Sequence, residues 1–121
     1  SSDLAERDVL DMLINSKAKK VVLHCFSGNK KLIKEAIENG YYFSIPTNIV
    51  RSEHFQMVAR LSSLSQILTE TDAPYLSPDK DVFPNEPRFI NQTIEKIAQI
   101  KGLRKEEVSL AIFQNFQKLY L

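Results

Sequence analysis

The chain has 121 residues, 43% hydrophobic and 26% charged, with 16 basic and 15 acidic side chains for a formal net charge of +1. That is the balance of an ordinary globular domain with one sizeable core; it lacks a global basic footprint, so any contact with DNA or RNA has to be local. No apolar run approaches the roughly 20 residues that cross a bilayer, residues 1–6 are polar and acidic rather than a secretory leader, and the single cysteine, Cys25, cannot close an internal disulfide, so a reducing, cytoplasmic setting is expected.

Residues 3–15 place Leu4, Val9, Leu10, Leu13 and Ile14 on a helical stripe. A basic turn with Lys17, Lys19 and Lys20 leads into Val21, Val22 and Leu23, a run that reads as a buried parallel strand and stops at His24. Residues 29–39 are helical again, with Leu32, Ile33, Ala36 and Ile37 on one face and Gly40 at the position of a left-handed C-terminal cap. Tyr42, Phe43, Ser44 and Ile45 make a second strand, ended by Pro46. Residues 54–61 make a short helix, and residues 66–71 a third strand.

Residues 73–87 then carry Pro74, Pro78, Pro84 and Pro87, four of the five prolines. So many fixed φ angles predict an ordered loop, and long loops in compact domains are commonly functional. Residues 86–101 read as a helix with Phe89, Ile90, Ile94, Ile97 and Ala98 inward, Pro87 in the first turn and Gly102 past the end. Residues 104–121 make a last helix with Val108, Ala111, Ile112, Phe116 and Leu119 inward.

Alternating helices and strands of this kind define the α/β class with a parallel sheet. Three strands leave two bare edges, whereas a closed parallel barrel needs eight strands and about 250 residues. The pattern therefore reads as part of something larger.

In parallel α/β folds the chemistry sits at the C-terminal ends of strands. The first strand ends at His24 and the third at Asp72; Val22 and His24 share a side-chain face, as do Leu68, Glu70 and Asp72, so that if the apolar members fill a barrel interior, His24 and Asp72 point into its mouth together. Imidazole and carboxylate together suit borderline divalent ions such as zinc. Asp72 is also placed to act as a general base, and Glu70 to accept the free N–H of a metal-bound histidine. Each residue has a plainer reading: His24 as a satisfied core histidine, Asp72 before Ala-Pro as a turn former, Glu70 as the partner of a lysine.

Other polar residues read more simply. Cys25 should face away from His24 as a small core residue, and His54 should be a surface histidine. Thr47, Asn48 and Arg51 follow the second strand on the same rim, where Arg51 is either a phosphate contact or a solvated arginine. Lys17, Lys19 and Lys20 precede a strand and so lie on the opposite rim. Tyr75 either stacks on a base or packs beneath the proline-rich loop, and Asn85 and Glu86 fix that loop against the last helices.

Longer stretches resemble one family. His24-Cys25-Phe26-Ser27-Gly28 resembles the sixth-strand motif of the TatD family of metal-dependent deoxyribonucleases, and Glu70-Thr71-Asp72-Ala73-Pro74-Tyr75-Leu76 its eighth-strand motif. Asn85-Glu86-Pro87 matches a further signature of that family, Gly40-Tyr41-Tyr42-Phe43-Ser44-Ile45 is similar to its seventh strand, and Ser1-Ser2-Asp3-Leu4-Ala5 resembles the stretch after its fifth. The resemblance implies that residues 1–121 are the C-terminal part of a single TIM (β/α)8 barrel domain, strands six to eight with their helices, the barrel being incomplete in this chain. It implies a hydrolase that cleaves phosphodiesters of DNA with one or two divalent ions (Zn, Mg or Mn). His24 and Asp72 are then metal ligands, Asp72 is also catalytic, and Glu70 supports a ligand from behind; no substrate-binding residue is assigned.

Two departures accompany the resemblance. The family's first-strand His-x-His, fourth-strand glutamate and fifth-strand histidine have no counterpart here, and Arg104 stands at a helix start where the family often has Ser or Thr. Two ligands hold a metal poorly, so the chain alone is expected to be inactive, with a missing N-terminal barrel half or self-association covering the sheet edges. The rival readings are a non-catalytic half-barrel that binds a partner or nucleic acid, and a related metallohydrolase acting on an amide, lactone or other ester.

Overall fold

The structure, a computed structural model, describes residues 2–70 and 87–120, with side chains at 6–70 and 91–120. Helix α1 spans Ser2–Asn15, β1 Val22–His24, α2 Lys30–Glu38, β2 Tyr42–Ile45 and α3 Glu53–Leu61. Strand β3 follows at Ile67–Thr69, then α4 at Pro87–Lys101 and α5 at Lys105–Tyr120. Two 3₁₀ turns, Thr47–Val50 and Leu64–Gln66, interrupt the alternation.

The sheet is open and parallel in the order β1-β2-β3. Leu23 pairs with Phe43, and Phe43 with Ile67. This row belongs to the face on which the helices pack, because Leu23, Phe43, Ile45 and Ile67 share one core with Ile33, Val58, Ile97 and Val108. The next row, His24 beside Ser44 beside Leu68, lies on the other face. The three strands thus present one face to the helices and carry His24 on the other.

Local chemistry sets the boundaries. Asn29 caps α2 by accepting from Leu32 N at 3.0 Å. At its far end Gly40 takes φ +75, Tyr41 N donates to Ala36 O at 3.1 Å and Gly40 N to Ile37 O at 3.0 Å. That is the paired bonding of a Schellman cap, and only the left-handed residue makes it. Gly102 ends α4 in the same way, with φ +67 and Leu103 N on Ala98 O at 2.9 Å.

The start of α5 shows how Arg104 is accommodated. Its side chain offers no acceptor, yet Glu107 reaches back to accept from Arg104 N at 3.4 Å and from Arg104 Nε at 3.3 Å. Half of a capping box survives on the glutamate side.

Several expectations shift. Val9 is 51% exposed, because Leu10, Leu13 and Ile14 form the inner stripe of α1 and Val9 falls at its edge. The third strand begins at Ile67 rather than Gln66. Gln66 sits in a 3₁₀ turn while its side chain donates to Tyr41 O at 2.8 Å and Ile37 O at 3.2 Å. Asn115, on the inner side of α5, is 1% exposed and donates from Nδ2 to Leu64 O at 2.9 Å and Ile67 O at 2.8 Å. Those bonds hold the turn that launches β3, and with it the position of Glu70.

Candidate metal centre

His24 is the last residue of β1, and Glu70 stands one residue past β3. They are separated by the width of the sheet's central strand, yet their side chains meet: His24 Nδ1 lies 3.3 Å from Glu70 Oε1 and 3.4 Å from Oε2. A carboxylate only accepts, so the Nδ1–H donates, and the lone pair of a neutral imidazole is left on Nε2. The His24 side chain is 67% exposed against 24% for Glu70. The carboxylate is therefore the set-back group and the imidazole the outward one.

The backbone beyond His24 is tightly determined. Cys25 takes φ +46, a left-handed conformation that costs a non-glycine residue about 1–3 kcal/mol and persists only where its surroundings impose it. Cys25 N donates to Ser44 O at 3.3 Å and Cys25 Sγ to Glu70 Oε1 at 3.2 Å. Phe26 then turns into the core, 6% exposed, with its ring 6.1 Å from that of Phe43. Gly28 folds over it so closely that a Cβ there would stand 2.6 Å from Phe26 Cζ. Ser27 Oγ donates to Glu6 Oε1 of α1 at 3.3 Å.

Cys25 departs from the sequence-based expectation. It is exposed on the same side as His24 rather than buried against the helices, because strand alternation ends at His24 and the left-handed turn swings the thiol back toward Glu70. Desolvation of the sulfur, then the hydrogen bond to Glu70 and that residue's charge, push the thiol up to about 11.

His54 is likewise more than a surface residue. At the start of α3 it is half-buried, and its Nε2 donates to Phe26 O at 2.7 Å. Nothing in the local sequence signals this bond, since its acceptor is a backbone carbonyl 28 residues away. Arg51 is exposed at the same rim. Asp72, Tyr75, Asn85 and Glu86 lie outside the described residues.

Imidazole and carboxylate are both donor types that divalent ions accept. An imidazole with Nδ1–H engaged by a carboxylate is the arrangement that fixes a metal-binding tautomer. Among the described residues no three His, Cys, Asp or Glu side chains form a complete ligand group. No described helix is long and apolar enough to cross a membrane.

Fold and site together define an α/β protein that gathers imidazole and carboxylate where parallel strands end, the place such folds reserve for chemistry. The chain belongs to the TatD related DNase family, whose model matches residues 1–121. The human deoxyribonuclease TATDN3 is 41% identical over 116 residues, a match covering 96% of this chain and 42% of the relative. An uncharacterized metal-dependent hydrolase of Methanocaldococcus jannaschii is 38% identical over 115 residues, covering 95% and 45%. A crystal structure of a hydrolase TatD family protein from Entamoeba histolytica shares the fold, with a TM-score of 0.69 at 17% identity, covering 98% of this chain and 48% of that one. The chain thus spans less than half the length of these relatives.

Proposed function

We propose that this chain is the C-terminal part of a (β/α)8-barrel deoxyribonuclease that hydrolyses phosphodiester bonds of DNA with a divalent metal ion. The observation that carries the reading is the His24–Glu70 pair, assembled across the sheet at the ends of β1 and β3 in a chain 41% identical to a deoxyribonuclease. His24 would hold the ion through Nε2, and Asp72 through its carboxylate. Glu70 keeps the His24 ring in one tautomer and one orientation. When bound, the ion supplies Lewis-acid polarisation of the phosphodiester and lowers the pKa of water. Asp72 takes up the proton that the attacking water gives away.

Among the described residues nothing pairs with the outer edges of β1 and β3, which supports a barrel completed outside this chain, since native sheets rarely leave such edges bare. The exposed Val9 and Met12 of α1 and Leu110 and Phe113 of α5 add apolar surface of the kind that further elements cover. Two ligands fall short of the three that zinc enzymes use, so the 121-residue chain alone is inactive on this reading.

The test is cleavage of labelled DNA by the full-length protein with Zn²⁺, Mn²⁺ or Mg²⁺. Activity abolished by a chelator, restored by the ion, and reduced at least about a hundredfold in His24→Ala and Asp72→Asn is the expected result. DNA cleavage indifferent to the chelator and to both substitutions would overturn the reading. A full-length protein that binds DNA without cutting it in any metal would replace the nuclease with a binding module.

A further inference from the structure

Two rim segments of this sheet are tied together by a side chain outside the ligand set. The chain leaves β1 through His24, Cys25, Phe26, Ser27 and Gly28, and leaves β2 through the 3₁₀ turn Thr47–Val50 into α3. Ser52 caps α3 by accepting from Phe55 N at 3.3 Å, and Gln56 Nε2 donates to Ile49 O at 2.9 Å, so the first turn of α3 is locked onto the segment after β2. His54 sits in that same turn and donates from Nε2 to Phe26 O at 2.7 Å. Its ring is braced by Phe55, edge-on at 5.0 Å between centroids.

The backbone between His24 and Phe26 needs such a restraint. Cys25 is held at φ +46, and a left-handed non-glycine residue persists only where its neighbours over-determine it. Cys25 N on Ser44 O fixes the loop from the sheet, Phe26 fixes it from the core, and Glu70 fixes the thiol. His54 supplies the fixing from the helix layer, through the carbonyl two residues beyond His24. A carbonyl only accepts, so His54 is held as the Nε2–H tautomer by geometry.

We infer that His54 is a positioning residue for His24: its hydrogen bond to the Phe26 carbonyl holds the loop after β1 in the conformation that aims the His24 ring at the reaction centre. This rests on the metal-dependent nuclease reading for its catalytic consequence, but the placement of His24 can be read without any activity. His54 touches neither metal nor substrate on this account. It acts by removing freedom from a ligand whose side chain is 67% exposed and has one carboxylate as its described partner.

The experiment compares His54→Leu and His54→Gln in the full-length protein. Leucine keeps the bulk and removes the donor, whereas the glutamine amide nitrogen reaches about as far as imidazole Nε2 and still donates. The readouts are the His24 ring signals in ¹H–¹⁵N NMR, and kcat and KM for metal-dependent DNA cleavage. His54→Leu should shift or broaden the His24 ring signals and lower kcat about ten- to a hundredfold with KM little changed, the scale on which small misplacements act. His54→Gln should recover most of both. Unchanged His24 signals and kcat in His54→Leu overturn the inference, as does an equal fall in both variants, which is the mark of a merely structural histidine. If the wild-type protein cuts no DNA but the His24 signals still respond to leucine and recover with glutamine, the nuclease reading fails and the positioning role stands.

Discussion

Replacing Glu70 by alanine should weaken divalent-metal binding by about tenfold while leaving the fold intact. Glu70 accepts from His24 Nδ1 at 3.3 Å and from Cys25 Sγ at 3.2 Å. A hydrogen bond to a charged partner is worth roughly 1.5–3 kcal/mol. The His24 side chain is 67% exposed and the contact is long, which puts this one at the low end, about 1.5 kcal/mol, or close to tenfold in an equilibrium constant. Partners behind a ligand histidine commonly contribute ~10–100-fold in metal affinity, and the two routes agree at their lower limits. Without Glu70 the imidazole is free to change tautomer and rotate, so the ion has to organise its own ligand. The assay is calorimetric or competitive-chelator titration of Zn²⁺ into full-length wild-type and Glu70→Ala protein, with thermal melting as the control for folding. An affinity within about twofold of wild type, in a variant that melts normally, would refute the argument that Glu70 orients His24.

Three further outcomes follow from particular contacts. Asn115→Ala removes the Nδ2 donor from the half-buried carbonyl of Leu64 and the buried carbonyl of Ile67 and should cost about 1–3 kcal/mol in denaturant unfolding of the full-length protein; a loss under about 0.5 kcal/mol would mean that water replaces both bonds. Gly28→Ala drives a Cβ to 2.6 Å from Phe26 Cζ and 3.2 Å from Leu32 Cβ. Since Phe26 is buried against Phe43, the ring has little room to give, and stability should fall by about 1–3 kcal/mol with faster amide exchange across residues 25–29. Glu35 on α2 pairs with both terminal nitrogens of Arg7 on α1, and that guanidinium holds the carboxyl below its ordinary value. A depressed pKa contributes stability that is present above the unfolded-state value and lost as pH falls through the folded-state one. Glu35→Gln should therefore flatten the acid limb of a stability-against-pH curve, and an unchanged limb would show the pair to be thermodynamically silent.

Much of the architecture was legible in the chain because it is local. The 3.6-residue stripe around Leu32, Ile33 and Ala36 and the glycines at 40 and 102 mark where helices run and stop, and each acts within a few residues of itself. Strand alternation puts His24 on the same side-chain face as Val22 before any fold is built, because side-chain direction along a strand is a property of the backbone alone. The words around His24 and Glu70 likewise carry the family resemblance by themselves.

What only the tertiary structure decided are relations between distant segments. That Glu70 reaches His24, 46 residues away, depends on the register that sets β1, β2 and β3 side by side. Cys25 reverses direction because the chain leaves strand geometry at that residue, so a rule of alternation stops applying where the site begins. His54 reads as a surface histidine and Asn115 carries no signal in the sequence, because their partners are main-chain carbonyls 28 to 51 residues distant, and a carbonyl has no sequence signature. Periodicity encodes which way a side chain points; only packing determines what it meets there.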